Sequence, residues 1–224
     1  MADCPKQKFG FIYYITWGWF RLVFKLYFRW RIFNADRVPM QGSVILASNH
    51  ASYLDPPMVG CAIHRESGYL ARASLFRFSP FGWWIRKLNA VPVDRDGGVG
   101  KGLKTVFKLL DSNLPVTLFP EGTRSVDGQL QPAKPGIGMI IIKSDSPVIP
   151  VRVFGSYEAF GKNAFFPRPH RISIKYGDPI NFSELRKKAS TATKREMKDL
   201  YIRASEMCME AIGKLEPHEN QEKE

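Results

Sequence analysis

Two periods of apolar and polar positions alternate along this chain. Short apolar runs bounded by polar or turn residues mark strands. Ser43–Ser48 (SVILAS) is apolar on both faces and reads as a buried strand. Gly68–Ala71, Ala90–Val93, Val116–Phe119 and Val148–Phe154 read as further short strands, and Arg171–Tyr176 alternates as a strand should. Between them the period lengthens. Asp55, followed by Pro56 and Pro57, reads as the N-cap of a helix through His64. Helices are also expected over Pro80–Leu88, Gly136–Lys143 and Val99–Ser112, the last with Leu103, Val106, Phe107 and Leu110 at helical spacing. The clearest helix is Thr193–Leu215, with Met197, Leu200, Ala204, Met207, Cys208, Ala211 and Ile212 on one stripe. Strands alternating with helices imply an α/β layer fold. There is no internal repeat.

Length and charge narrow this picture. At 224 residues the chain fits one domain with a full core. Cys4, Cys61 and Cys208 are odd in number and widely scattered, so no disulfide framework is expected, and a reducing compartment is the default. The formal charge is +12, and all of it lies in residues 1–182, because nine basic residues balance nine acidic ones from Ser183 onward. A basic surface attracts nucleic acid, anionic lipid or an acidic carrier protein. The tail after Pro217 is expected to be disordered.

The N-terminal segment favours lipid among these. Twelve of the 29 aromatic residues fall within residues 9–33, including Trp17, Trp19 and Trp30. Arg21, Lys25 and Arg29 recur every fourth residue, which on a helix places them on one side. Aromatic rings and snorkelling cations suit a membrane–water interface. No stretch of 18 residues is free of charge, so an anchor lying in one leaflet is expected rather than a spanning helix, in two short helices if the chain breaks near Gly18 or Asn34. A core helix is the rival reading. A cleaved secretory signal is disfavoured, because Arg21 and Lys25 follow the apolar run and no small-residue cleavage site does. Phe76, Phe78, Phe81, Trp83 and Trp84, with Arg77, Arg86 and Lys87, repeat the same chemistry.

Two segments could carry a reaction. Asn49-His50-Ala51-Ser52-Tyr53-Leu54-Asp55 closes a strand. On a continuous helix the side chains of His50 and Asp55 diverge, whereas at a strand–loop–helix corner they can meet. Asp55 would then hold the imidazole by Nδ1 and leave Nε2 free as a base. A hydrogen-bonded loop histidine beside a capping aspartate is the structural alternative. Ser52 lacks a nucleophile elbow and suits a turn better than a covalent role. Phe119-Pro120-Glu121-Gly122-Thr123-Arg124-Ser125 follows another strand. Arg124 offers a planar fork for phosphate, and Glu121 could accept from a substrate hydroxyl or orient that arginine. Arg95 also follows a strand and could join an anion site. Asp96–Gly102 superficially resembles a phosphate loop, but Arg95 and Gly102 stand where glycine and Ser/Thr are required. His64, His170 and His218 lack metal-ligand spacing, so no metal is expected.

Together these segments resemble the glycerolipid acyltransferase family, most closely its 1-acylglycerol-3-phosphate branch. The N-H-x-x-x-x-D block matches Asn49, His50 and Asp55. A block ending in arginine matches Val91–Arg95, F-P-E-G-T-R-S matches Phe119–Ser125 without a gap, and a hydrophobic run closed by proline matches Val148–Val151. Lys134-Pro135-Gly136 resembles a Lys-x-Gly segment between the last two. The resemblance implies one acyltransferase domain over residues 35–216, with a central mixed sheet flanked by helices. An N-terminal membrane-associating motif would cover 1–34 and a tail 217–224. It implies transfer of an acyl chain from acyl-coenzyme A or an acyl carrier protein thioester to the sn-2 hydroxyl of lysophosphatidate, giving phosphatidate. His50 would be the base, oriented by Asp55; Arg124, Glu121, Gly122, Arg95 and Lys134 would bind the phosphate, and Pro150 would serve the acyl site or the structure. No cofactor, metal or nucleic acid is implied, and the enzyme would sit on the cytoplasmic face of a membrane. Glycerol 3-phosphate or another lysophospholipid is the alternative acceptor. A lipid esterase or thioesterase, and a non-catalytic basic binding protein, are readings from other classes.

Overall fold

The structure is a computed structural model that describes residues 10–93 and 99–218. Seven strands form one sheet in the order β1-β7-β6-β2-β5-β3-β4. They are β1 (Arg31–Phe33), β2 (Val44–Ser48), β3 (Gly68–Arg72), β4 (Ala90–Val93), β5 (Pro115–Leu118), β6 (Val148–Phe154) and β7 (Ser173–Tyr176). Every neighbouring pair is parallel except β6 with β7, so the sheet is mixed, as expected. The eight helices of the described residues are α1 (Phe11–Tyr27), α2 (Asp55–Ala62), α3 (Ser79–Lys87), α4 (Val99–Asp111), α5 (Pro135–Lys143), α6 (Ser156–Phe160), α7 (Ser183–Ala189) and α8 (Lys194–Gly213).

Side-chain alternation along β2 divides the core. Val44 and Leu46 face a layer built with α1 and α2, together with Ile149, Val151 and Val153 of β6. Ile45 and Ala47 face the opposite layer, built with α4, α5 and α8. All five β2 residues are buried, which is why that strand reads as a continuous apolar run. Helix α8 begins at a capping box in which Thr193 accepts from the Glu196 N–H and the Glu196 carboxylate accepts from the Thr193 N–H. It lies so close to α5 that a Cβ on Gly138 would stand 1.8 Å from the Tyr201 carbonyl oxygen.

Helix α1 serves the core on one side and leaves an apolar stripe bare on the other. Tyr13, Phe24 and, just past the helix, Phe28 are buried, with Trp17, Phe20 and Val23 packed against the same cluster. Phe11, Ile15, Trp19, Leu22 and Leu26, at helical spacing, are each more than half exposed. The anticipated break at Gly18 does not occur; the helix runs through it, in open space. Nor do the three cations share a side. Arg21 turns inward, donating to the Cys61 carbonyl at 2.7 Å and lying 4.5 Å from the Trp17 ring centre, while Arg29 lies past the helix end with a positive φ. Helix α3 lies beside α1: Trp84 donates to Thr16 at 3.2 Å and its ring is 6.0 Å from Phe20. Phe76 is buried, whereas Phe78 and Trp83 are more than half exposed, so the second aromatic cluster is partly core. No described helix is long and apolar enough to cross a membrane.

Parallel strands point their carboxyl ends to one edge of the sheet. The chain leaves β2 for α2 on one layer and leaves β5, the adjacent strand, for α5 on the other. Such a switch point opens a crevice at the carboxyl edge between the two strands. The residues after β2 and after β5 flank it.

Candidate active site

His50 stands two residues beyond β2, and the corner that follows it reverses toward α2. There the His50 Nδ1 lies 2.9 Å from Asp55 Oδ2. Asp55 is fully buried, and its Oδ2 also accepts from the Ala51 and Ser52 N–H groups, each at 2.7 Å. Asp55 is therefore the first residue of α2 and not its N-cap, which is Leu54, because its carboxylate folds back over the corner. The helix ends at Ala62, short of His64, where Ile63 turns extended. This arrangement fixes Nδ1 as the donor to a carboxylate and leaves Nε2 as the nitrogen available to substrate. The imidazole is stacked on Phe119, with ring centres 4.0 Å apart.

The loop after β5 grips the His50 peptide from both sides. Glu121 Oε1 accepts from the His50 N–H at 3.0 Å, and the Ser125 N–H donates to the His50 carbonyl at 2.7 Å. Glu121 is 2% exposed and its Oε2 has no hydrogen-bond partner. Burial pushes its carboxyl up to about 7, although the His50 N–H pulls the other way. Expected to accept from a substrate hydroxyl or to orient Arg124, Glu121 uses Oε1 to hold the His50 backbone and leaves Oε2 unpartnered.

Arg124 instead lies flat on Tyr53, its guanidinium carbon 3.4 Å from the ring centre. Its Nη1 is buried and makes no hydrogen bond. A stacked guanidinium with an unused donor is suited to an oxyanion ligand. Gly122 adopts φ +69°, and a Cβ there would meet the Lys134 side chain at 2.8 Å, so Lys134 lies across the same loop. Arg95 falls outside the described residues. Pro150 sits within β6, opposite Ala47 of β2, and does not join the His50 group. Among the described residues no cluster of His, Cys, Asp and Glu could hold a metal ion.

Asn49 and Tyr53 gain roles that sequence reasoning did not assign, and Ser52 takes the turn role expected of it, its hydroxyl oxygen accepting from the Leu54 N–H at 3.1 Å. Asn49 pairs its amide with the Val153 backbone, donating to its C=O at 3.0 Å and accepting from its N–H at 2.8 Å. This fastens the end of β2 to β6. Ser52, fully buried, donates to the Phe160 carbonyl at 2.7 Å, a structural bond that occupies its hydroxyl proton. Tyr53 is the platform of Arg124. Asn49 and Tyr53 were visible in the motif, but nothing in sequence says what they touch.

A family model described as Acyltransferase matches residues 29–154, more than half of the chain. The 1-acyl-sn-glycerol-3-phosphate acyltransferase of Limnanthes alba is 27% identical over 185 residues, covering 79% of this chain and 66% of that protein, just short of two thirds of its length. The enzyme of the same name from Bacillus subtilis is 27% identical over 186 residues, covering 81% and 90%. The crystal structure of the 1-acyl-sn-glycerophosphate acyltransferase of Thermotoga maritima superposes with a TM-score of 0.68 at 20% identity, over 92% of this chain and 81% of that one. That likeness concerns the fold.

Proposed function

The chain belongs to the acyltransferase family, and we propose that it acylates the sn-2 hydroxyl of 1-acylglycerol 3-phosphate, forming phosphatidate. The observation that carries this reading is the pairing of two geometries at one crevice: a His50–Asp55 contact of 2.9 Å and, on the adjoining loop, an Arg124 with an unspent buried donor. His50 Nε2 takes the proton of the acceptor hydroxyl as its oxygen attacks the thioester carbonyl. The tetrahedral intermediate collapses with loss of the thiolate, which is protonated in turn. Asp55 holds the imidazole in one tautomer and stabilises its cation. Arg124, with Gly122, Lys134 and Arg95, holds the phosphate and so places the hydroxyl beside the base. Glu121 supports the base through its backbone. The reaction needs no metal or redox cofactor; acyl-coenzyme A or an acyl carrier protein thioester is the co-substrate.

Membrane association belongs to the same proposal. Residues 1–34 serve as the membrane-associating motif of a domain over 35–216, on the cytoplasmic face. The exposed stripe of α1, with Phe78, Trp83 and the adjacent Arg77, Arg86 and Lys87, supports a helix lying on the leaflet.

The test uses purified protein in detergent micelles with lysophosphatidate and, separately, acyl-coenzyme A or acyl carrier protein thioester. Phosphatidate from the wild type and none from His50→Ala is the expected result. Phosphatidate at an unchanged rate from His50→Ala would remove the base. Product only with another acceptor, such as glycerol 3-phosphate, would move the assignment within the family, and free fatty acid without an acceptor would make the protein a hydrolase.

A further inference from the structure

The loop between α6 and β7 carries the barest aromatic pair of the described residues. Phe165 is 87% exposed and Phe166 70%, and their rings meet edge to face with centres 4.8 Å apart. The loop is not loose. The Arg168 N–H donates to the Ala159 carbonyl at 2.7 Å and closes its base. Gly161 bridges to Ser52 in the corner after His50, and the Pro167 carbonyl accepts from the Tyr27 hydroxyl at 3.1 Å. A tip so held presents its two rings to solvent without an ordering cost on contact. Exposed Lys162, Arg168, His170 and Arg171 flank it along the chain, and no acidic residue occurs from Gly161 to Gly177.

We infer that the Phe165–Phe166 tip is a second lipid-inserting wedge, which enters an anionic leaflet beside α1 and sets the crevice at headgroup depth. This rests on the membrane-acyltransferase reading above. Three features choose lipid as the occupant. Aromatic rings on a loop rich in exposed Lys and Arg match an anionic interface in both hydrophobicity and charge. The tip is continuous with the bare stripe of α1 through the Tyr27–Pro167 bond, next to Leu26, which is 71% exposed. Its root adjoins the site: Phe160, the last residue of α6, has its ring 5.8 Å from Tyr53, the platform of Arg124. A wedge rooted there brings Arg124 level with lipid phosphates.

Co-sedimentation of the full chain with phosphatidylcholine vesicles, with and without phosphatidylglycerol, tests the inference. Phe165→Ser with Phe166→Ser should lower partition by about tenfold or more. The rate on a short-chain, water-soluble lysophosphatidate should stay unchanged while the rate on vesicle-borne acceptor falls. Unchanged partition would overturn the inference. So would loss of the short-chain rate in the variant, which would make the tip part of the fold, or conversion of a dimer to a monomer, which would assign the face to a second copy. Wild-type protein inactive on the short-chain acceptor counts against the acyltransferase reading; the partition result still decides the wedge.

Discussion

Removing His50 and removing Asp55 have different structural consequences. The imidazole stacks on Phe119 and makes one side-chain bond, so His50→Ala should abolish turnover, by about 10²–10⁴-fold or more, with little change in stability. Asp55 also accepts from two buried N–H groups. Asp55→Ala leaves both unpaired, and each costs about 1–3 kcal/mol. We expect that variant to lose activity and also to unfold at distinctly lower denaturant; equal midpoints for the two variants would contradict this. Glu121 adds a pH signature. Its folded value near 7 lies above its unfolded value, so the native state binds the extra proton between about 4.5 and 7. Stability from this group is present at the acid end and declines as pH rises through that window, by roughly 3 kcal/mol in all. Glu121→Gln should flatten the slope in denaturant titrations across the same range.

At the scale of elements, α1 has one face packed in the core and one bare. Truncating residues 1–33 would strip Phe24 and Phe28 from the core, so the loss of membrane binding would be confounded with unfolding. Leu22→Ser with Leu26→Ser changes the bare stripe alone. Vesicle partition should fall with the thermal midpoint within a few degrees of wild type. Gly138→Ala, by contrast, should lower the midpoint sharply, because its Cβ meets the backbone of α8. Such contacts also explain what was legible beforehand. Strand β2 and the first four residues of β6 are apolar runs because both their faces are covered, and α8 announces itself by a stripe and a cap. Strand β1 has three residues at a sheet edge, and α7 has no buried residue, so neither leaves a periodic trace. In the site, His50, Asp55 and Arg124 were readable from their motifs. The grip of Glu121 on the His50 peptide joins residues 71 apart, and no local pattern encodes it. Arg124 on Tyr53 likewise requires the two strand ends to be neighbours.

For the whole molecule, charge and topology act together. The excess of cations lies in the part of the chain that builds the crevice, α1 and the α6–β7 loop, while the stretch from Ser183, which includes α7 and α8, is balanced. Binding to anionic vesicles should weaken as salt is raised from 0.05 to 0.5 M, while binding to neutral vesicles should change little. Equal salt responses on the two would mean that the apolar surfaces act without the charge. The order of synthesis adds a constraint of its own. Strand β1 extends directly from the α1 segment, but among the described strands it pairs only with β7, which comes last of them in the chain. The Phe28 carbonyl likewise waits for the Ile172 N–H. Throughout translation of the intervening sheet, the most aromatic segment of the protein lacks its final partner. If α1 lies on a leaflet as proposed, a growing chain of this design gains from meeting lipid early, since the leaflet shelters the side of the helix that the finished fold never covers.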